Sequence, residues 1–358
     1  PLGRGGGGGS MVNGLVAMWG HADDYDSWER DFGCVGWSWS RVAPVFRALP
    51  LSLTQLPPSS WGSADQLLAG AARESGAKFV SNLSRTSTDG FGSLHLTIAN
   101  GRRDSVNDAY LNSARRRPNF VVRANSLVDR ILFHGKEASG VQLADGEVIE
   151  AHAVVVCAGA IHSPTVLSRS EIQLPGIGAG LSDHVAIAFT LEMKEALASP
   201  TVTSTLLRTS SRHSTGDIHI LPMNRAGADS EFAVLSVALM QVQSRGAVVT
   251  TSSDPRVSPQ VSFNMLSESV DEERMGEALK VLLDIVGGAS VKGRTRNIYC
   301  DQSGTPAESL MDKDESELGE WMRAHIGNYA HASGTCRMGP LTDVMSVVDC
   351  AGGVIGYE

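Results

Sequence analysis

The sequence predicts a mixed α/β (α+β) fold, on three observations. Segments of strand character alternate with amphipathic segments, and no repeat of fixed length runs along the chain. An apolar run at 153–160 breaks at Gly159 and leads into a predicted helix. Between Ile187 and Asn264, five short apolar runs are separated by Gly, Ser and Asp turns, and this pattern predicts a mixed or antiparallel sheet.

Helices are predicted where apolar residues recur at helical spacing. This spacing occurs at 64–75, 104–115, 271–287 and 315–324. Short β-rich runs separated by polar and glycine-containing turns lie between the second and third of these helices, at 120–123, 126–133, 140–143 and 147–151. They predict a meander of β-hairpins.

The run at 153–160 differs from the other strand candidates because it contains only apolar residues and glycine. It predicts a central strand that is buried on both faces. Gly159 breaks the run, and a helix is then predicted with Ser163 as its cap and Pro164 in its first turn. In α/β proteins, a strand that turns at glycine into a helix N-terminus places a phosphate or a ring at the carboxyl edge of the sheet.

Composition excludes several function classes. The 358 residues carry a formal net charge of -9 with both signs interspersed, so there is no basic stripe for nucleic acid. No apolar run approaches the ~20 residues of a membrane span and no signal-peptide pattern opens the chain, which predicts a cytoplasmic protein without a transmembrane segment. The five cysteines are widely spaced and predict reduced thiols. The histidines lack metal-ligand spacing, so no metal site is predicted.

The chain opens with a glycine run, Gly5–Gly9, followed by Ser10, Asn13 and Gly14. Such a run lets backbone amides approach a bulky anionic ligand, because no Cβ stands between them. A Gly/Ser linker has the same composition. The residues downstream decide between these interpretations, because a linker would not be followed by further motifs in register with it.

Those motifs resemble the glucose-methanol-choline (GMC) flavoprotein oxidoreductases. The glycine run is similar to the family's Gly-Arg-x-Leu-Gly-Gly-Ser-Ser-x-Ile-Asn-Gly, and the residues that match it are Gly3, Arg4, Gly7, Gly8, Ser10, Val12, Asn13 and Gly14. Residues 20–39 resemble the motif that follows in the family. Residues 158–172 and 174–184 resemble two later motifs, although Glu171 stands where the family has Gly. Residues 331–339 resemble His-x-x-Gly-Thr-Cys-x-Met-Gly.

The resemblance implies a partial FAD-binding Rossmann-like domain interleaved with an antiparallel-sheet substrate domain. Residues 1–186 are expected to form the N-terminal region, with FAD-binding pieces at 1–50 and 118–186 and a helical and loop insertion between them. Residues 187–325 would form the substrate-binding sheet-and-helix domain. Residues 326–358 would return to the FAD-binding domain and carry the catalytic histidine.

The activity implied by the resemblance is FAD-dependent oxidation of the CH–OH group of an alcohol donor. Hydride would pass to flavin N5, with His331 as the base, since imidazole titrates near neutrality. Without the family match, His331 beside a Gly-Thr turn would be a structural hydrogen-bonding residue. Among the other histidines, His184 is predicted to be a hydrogen-bond partner of Asp183, and His21 an orienting residue.

The resemblance also implies the cofactor-binding residues, which are Gly7, Gly8, Gly9, Ser10, Asn13, Gly14, Val128 and Gly159. Val12 occupies the position at which some family members attach the flavin covalently, and its side chain has no nucleophile. FAD is therefore expected to bind noncovalently. The partners expected are a small-molecule alcohol and an electron acceptor, for which oxygen and a redox carrier both stay open.

Two family features have no match in these residues. They are the N-terminal G-x-G-x-x-G unit and the second active-site His or Asn, so the sequence is expected to be a fragment whose activity alone is in question. Two alternatives to the oxidoreductase stay open: a non-catalytic, degenerate or truncated remnant of the family, and a hydroxynitrile lyase on the same fold.

Overall fold

The computed structural model describes residues 3, 5–195, 199, 201–224 and 231–358, so Arg4 of the glycine motif lies outside the described residues. The helices are α1 (Ala22–Arg30), α2 (Trp39–Ala48), α3 (Ser63–Glu74), α4 (Asn112–Ala114), α5 (Gly159–Arg169), α6 (Ser269–Gly287), α7 (Ala289–Lys292) and α8 (Glu315–His325). The strands are β1 (Leu53–Gln55), β2 (Gly90–Ser93), β3 (His95–Ala99), β4 (Arg102–Arg103), β5 (Val128–His134), β6 (Glu137–Leu143), β7 (Val148–Glu150), β8 (Ala179–Leu181), β9 (Val185–Met193), β10 (Thr205–Thr209), β11 (Ile218–Met223), β12 (Phe232–Leu239), β13 (Gly246–Val249), β14 (Gln260–Ser262), β15 (Thr295–Tyr299) and β16 (Gly327–Asn328).

A seven-stranded antiparallel sheet forms the centre of the fold. Its strand order is β15-β9-β12-β11-β10-β2, and β16 pairs with β9. Side chains alternate between its two faces. Ile187 and Phe189 lie in the main apolar core together with residues of α3, α6 and α8, whereas Ala186 and Ala188 belong to the opposite face. The large sheet therefore has one face covered by helices. Its opposite face packs partly against a second apolar cluster, which includes Leu206 and Leu221, and Ala188 on that face is exposed.

All five runs between 187 and 264 form strands with antiparallel partners, as predicted. They divide between two sheets, because β9, β11 and β12 belong to the large sheet and β13 and β14 pair with β8 in a separate one. The sequence pattern missed β2, β10, β15 and β16 of the large sheet, and the Thr- and Ser-rich flanks of β10 show no apolar alternation. The predicted hairpin meander is also confirmed as the sheet β5-β6-β7. The run at 120–123, however, forms no strand, and Val121 is exposed.

Three of the predicted helices are confirmed as α3, α6 and α8, with ends within two residues of the prediction. The fourth, at 104–115, is irregular. It consists of a π-helical turn at Asn107–Leu111 that continues into α4. Its apolar residues Val106 and Tyr110 are exposed. Polar contacts hold this segment in place instead, since the Val106 N–H donates to Ser10 Oγ at 3.0 Å.

The prediction of a buried central strand at 153–158 is wrong for the described residues. The segment is unpaired, and Val155 is 85% exposed. An apolar run becomes a strand only when a neighbouring strand accepts and donates its backbone hydrogen bonds. None of the described strands pairs with it, although Val154 and Val156 pack on the apolar cluster that contains Ile131 of β5. The helix that follows begins at Gly159 rather than at Ser163, so Pro164 lies inside α5.

Candidate active site

The segment around His331 is fixed by its backbone. The main-chain N–H of His331 donates to both carboxylate oxygens of Asp183, at 3.0 and 3.1 Å. Ser333 forms an antiparallel bridge with Ser182. Ala330 adopts a left-handed φ of 60°, a conformation that costs a non-glycine residue roughly 1–2 kcal/mol. Asp183 is buried, so a buried carboxylate holds the backbone while the His331 side chain stays exposed.

Three aromatic rings meet at this segment. The His331 ring lies 5.2 Å from the Tyr329 ring and 5.4 Å from the His184 ring, measured between centroids and with edge-to-face geometry in both pairs. The rings of His184 and Tyr329 lie 6.1 Å apart. Such edge-to-face packing restricts ring rotation. His331 is thus held by ring contacts on two sides.

His184 does not bond to Asp183 as the sequence suggested. Its Nδ1 lies 2.9 Å from the carbonyl oxygen of Leu239. A carbonyl only accepts hydrogen bonds, so the proton of His184 belongs on Nδ1 and its Nε2 keeps a free lone pair. Burial lowers the pKa of His184, and the nearby His331 lowers it further. His184 is therefore neutral near pH 7. No sequence pattern indicated that its side chain contacts His331.

Tyr329 connects this cluster to the opposite face of the large sheet, since it packs on the apolar cluster that contains Leu206 and Leu221. Burial raises the pKa of Tyr329, and the nearby Ser236 opposes this increase. Ser236 is paired with Ala188 across β12 and β9, and Ala238 with Ala186. The side chains on this part of the sheet are small. Ala188 is exposed, whereas Ala186, Ser236 and Ala238 are buried.

A buried polar pair lies farther along the same face. His219 on β11 is paired with Arg208 on β10, and Arg208 Nε donates to His219 Nε2 at 3.2 Å. Burial, and after it the charge of Arg208, lowers the pKa of His219 to about 3. The other Arg208 nitrogens donate to the carbonyl oxygens of Leu83 and Thr86. His219 is therefore a neutral acceptor, and no sequence motif pointed to this pair.

The glycine run forms an exposed turn with left-handed φ values at Gly7 (109°) and Gly8 (52°). A Cβ added at Gly8, Gly9 or Gly14 would meet no atom within 4 Å. A bulky group can therefore approach this backbone closely, which is the property expected of a cofactor cradle.

The side chains of Ser10 and Asn13 hold this turn together. Ser10 Oγ donates to the Gly7 carbonyl at 2.6 Å. Asn13 Oδ1 accepts a hydrogen bond from Arg103 Nη1 at 2.6 Å, and the Asn13 carbonyl accepts one from Arg103 Nη2 at 2.7 Å. From the sequence we expected the side chains of Ser10 and Asn13 to bind the cofactor. In the structure they form hydrogen bonds that shape the turn, and the backbone of the turn faces outward.

Gly159 opens α5 with a left-handed φ of 76°, and a Cβ there would also meet open space. The α5 helix is joined directly to the His331 segment. Pro164 lacks the N–H that would bond to the Ala160 carbonyl, and the hydroxyl of Thr335 donates to that carbonyl instead, at 2.6 Å. The positive end of the α5 dipole is thereby tied to the loop that carries His331.

The remaining predicted residues connect to this centre through packing. Val128 begins β5, and the neighbouring Asp129 accepts a hydrogen bond from Arg169 of α5 at 2.9 Å. The chain that leaves the glycine turn, Leu15 to Met18, contacts the same buried apolar cluster as Tyr329. The structure thus links Val128 and Gly159 to the His331 segment through α5, and the glycine turn to it through this cluster.

Other features of the described residues lie apart from this centre. A cavity of about 730 Å³ lies between α3, α6 and β10, and neither His331 nor the glycine turn lines it. Its lining mixes charges of both signs without a convergent set of donors, so we place the site at the open surface in front of His331. No group of three metal-ligating side chains occurs among the described residues. None of the described helices combines the length and apolar character of a membrane span.

Comparison with known proteins gives consistent matches. The N-terminal and C-terminal profiles of the GMC oxidoreductases match residues 1–186 and 242–358. The chain is 30% identical to an oxygen-dependent choline dehydrogenase of Klebsiella pneumoniae, across 99% of this chain and 75% of that protein. The choline dehydrogenase of an Escherichia coli strain is 28% identical over similar shares.

Solved structures show the same fold. Pyridoxine 4-oxidase from Mesorbium loti superposes with a TM-score of 0.86 at 23% identity, over 100% of this chain and 78% of that one. A fungal aryl-alcohol oxidase superposes with a TM-score of 0.81 at 18% identity, over 100% of this chain and 80% of that one. At these identities the likeness concerns the fold alone.

Proposed function

The chain belongs to the GMC oxidoreductase family of FAD-dependent enzymes, and we propose that it oxidises the CH–OH group of a small alcohol with His331 as the base. The relatives named above act on choline or carry the names of alcohol oxidases. The proposal rests mainly on the geometry of His331. Its backbone is fixed by Asp183, its ring is packed edge-to-face, and its side chain is open to an incoming ligand.

In this proposal, His331 accepts the proton of the substrate hydroxyl as the C–H bond of the carbinol carbon breaks. Imidazole suits this step because its pKa lies near neutrality. Neutral His184 and Tyr329 hold the imidazole ring in position. The ring therefore loses little conformational freedom when the substrate binds. The small, exposed residue Ala188 on the opposite face of the large sheet leaves space for the substrate.

The residues of the cofactor side fit FAD. The glycine turn offers exposed backbone at Gly8, Gly9 and Gly14, which a Cβ would obstruct, and Gly159 opens the N-terminal end of α5. The bound flavin supplies the acceptor for the hydride that leaves the substrate carbon. We propose that Gly7, Ser10 and Asn13 shape the turn around FAD and that Val128 contributes backbone groups at the adenine.

We propose the domain division that the family resemblance implied. Residues 1–186 contribute the cofactor side through 1–50 and 118–186, residues 187–325 form the substrate side, and residues 326–358 return His331 to the cofactor. The electron acceptor is oxygen or a redox carrier, and an oxygen electrode and a dye-reduction assay on the same preparation distinguish them.

The test of the base is His331→Ala in the flavin-loaded enzyme. We expect flavin reduction by the alcohol to slow by roughly 10²–10⁴, the range for one acid–base group. The visible spectrum of the flavin should stay close to wild type. His134→Ala, an exposed histidine at the end of β5, is the control and should reduce at the wild-type rate. A His331→Ala enzyme reduced at that rate would show that His331 has a structural role only.

Acid precipitation of the flavin-loaded enzyme tests whether FAD is bound noncovalently. We expect the yellow flavin to be released into the supernatant, because the exposed side chain of Val12 has no atom to which the ring could be bonded. Colour that stays with the precipitated protein would contradict noncovalent binding.

A further inference from the structure

Two cysteines from distant parts of the chain lie close together. Cys34 lies in the loop between α1 and α2, and Cys350 lies near the C-terminal end of the sequence. Burial, and after it the neighbouring Cys350, raises the pKa of the Cys34 thiol. Cys350 Sγ also lies 3.7 Å from the carbonyl oxygen of Gly33, which belongs to the peptide group that joins Gly33 to Cys34. Both sulfurs are present as free thiols.

The backbone on each side of this pair is anchored. The indole N–H of Trp37 donates to the Cys350 carbonyl at 2.9 Å, and the Cys34 N–H donates to the Trp28 carbonyl at 2.9 Å. Cys34 Sγ additionally lies 3.8 Å from the Met338 carbonyl. A disulfide requires its two Cβ atoms close together, and these anchors hold the two residues next to each other before any oxidation.

We propose that Cys34 and Cys350 are an oxidative modification site at which a peroxide converts the two thiols into a disulfide. In the first step, one thiol sulfur attacks the peroxide, the O–O bond breaks, and a sulfenic acid and water form. In the second step, the other sulfur attacks the sulfenic sulfur and expels a second water. The two thiols together lose two electrons and two protons, and one hydrogen peroxide is reduced to two waters.

The surroundings of the two thiols indicate the order of these steps. Cys34 is only 3% exposed, and burial raises the pKa of its thiol. Cys350 is partly exposed, so it meets a dissolved peroxide first and Cys34 resolves the sulfenic acid. Burial raises the pKa values of Cys300 and Cys336 to about 11, and these thiols should not compete. Cys157 is exposed and can react on its own.

The disulfide would form close to the segment that carries His331. Cys34 contacts the carbonyl of Met338, which lies seven residues after His331. The bond would therefore fix the loop between α1 and α2 to the segment around Cys350. Its formation does not depend on the proposed alcohol oxidation.

The test uses the full chain with Cys157→Ser, which removes the exposed cysteine. After treatment with hydrogen peroxide and unfolding, we expect two of the four remaining thiols to resist alkylation. The intact mass should fall by two hydrogen atoms, and a peptide that contains both Cys34 and Cys350 should appear only without reductant. Reductant should restore all four thiols.

Two further variants identify the pair. With Cys34→Ser added, the disulfide should be lost, and dimedone should label Cys350 as the trapped sulfenic acid. Because Cys34 is buried and its replacement can disturb folding, Cys350→Ser provides the same loss of disulfide at a partly exposed position. Four alkylatable thiols after peroxide treatment, or a linked peptide that contains Cys300 or Cys336, would overturn the proposal.

Discussion

Two apolar runs of similar composition differ in this molecule, because one forms a buried strand and the other is unpaired and mostly exposed. Strand β12, with the sequence FAVLSVAL, is paired on both sides by β9 and β11, and Ala233 and Val237 are fully buried. The run at 153–158, with the sequence AVVVCA, has no hydrogen-bonded partner strand among the described residues, and most of it is exposed. Local composition is therefore compatible with either outcome, and the presence of flanking strands decides between them.

The two regions are also held together by different interactions. The large sheet is stabilised by an apolar core that it shares with α3, α6 and α8. The cofactor side has a smaller apolar cluster around Ile131 and Val166, and its glycine turn and the start of α5 depend on individual polar contacts, such as those from Arg103 to Asn13 and from Thr335 to Ala160. Exposed backbone on that side is what a bulky cofactor needs. Removal of one apolar side chain should therefore cost more stability in the large sheet than on the exposed parts of the cofactor side.

The largest difference should appear when one apolar side chain is removed from each region. Phe189 is fully buried in the core of the large sheet, so Phe189→Ala should lower the free energy of unfolding by about 3–5 kcal/mol. Val155→Ala, on the unpaired run, should change it by less than about 0.5 kcal/mol. Urea unfolding followed by circular dichroism measures both values. Equal losses would mean that the 153–158 run is packed in solution.

A smaller effect should appear in the pH dependence of stability. His219 keeps a pKa of about 3 in the fold, whereas an unfolded histidine takes up its proton near pH 6.5. The contribution of neutral His219 to the free energy of unfolding is therefore fully present above pH 6.5. It decreases as the pH falls toward 3, by about 1.4 kcal/mol per pH unit.

The measurement is urea unfolding of wild type and His219→Gln between about pH 5 and pH 6.5, a range in which the wild type should lose about 2 kcal/mol through this residue. Glutamine keeps an acceptor for Arg208, so the variant should fold and show a flatter dependence. His134→Gln, on the exposed β5 sheet, serves as the control and should follow the wild type. A slope unchanged by His219→Gln would contradict the buried, neutral state of this histidine.

The smallest effect concerns the single hydrogen bond that joins the α5 helix to the His331 segment. Thr335→Val should lower the free energy of unfolding by about 1–2 kcal/mol, because it leaves the Ala160 carbonyl without a donor. Pro164→Ala supplies a backbone N–H in the same helix turn. In the Pro164→Ala background, Thr335→Val should lower the free energy of unfolding by clearly less. The two changes should therefore be non-additive in a double-mutant cycle.

Thr335→Ser, which retains the hydroxyl, is the matched control and should keep most of the stability. Purely additive effects of Thr335→Val and Pro164→Ala would show that the Thr335 hydroxyl does not replace the N–H that proline lacks.

The sequence predicted those features that depend on local pattern. Helices α3, α6 and α8 and three strands of the large sheet, β9, β11 and β12, followed from periodicity, since the spacing of apolar residues reflects which face of an element is buried. The glycine turn and the position of His331 followed from motifs. The family assignment followed from them too, and the comparisons confirmed it.

What the sequence by itself determined, therefore, is the identity of most elements, the family and the segment that carries His331. Only the tertiary structure decided that Asp183 holds the His331 backbone, that His184 and Tyr329 pack against its ring, and that Cys34 meets Cys350. The tertiary structure also left the 153–158 run unpaired. The physical reason is that the contacts of Asp183 and His184 with His331, and the approach of Cys350 to Cys34, join residues more than a hundred positions apart. Such contacts depend on how sheets and loops pack, and no local pattern encodes that packing.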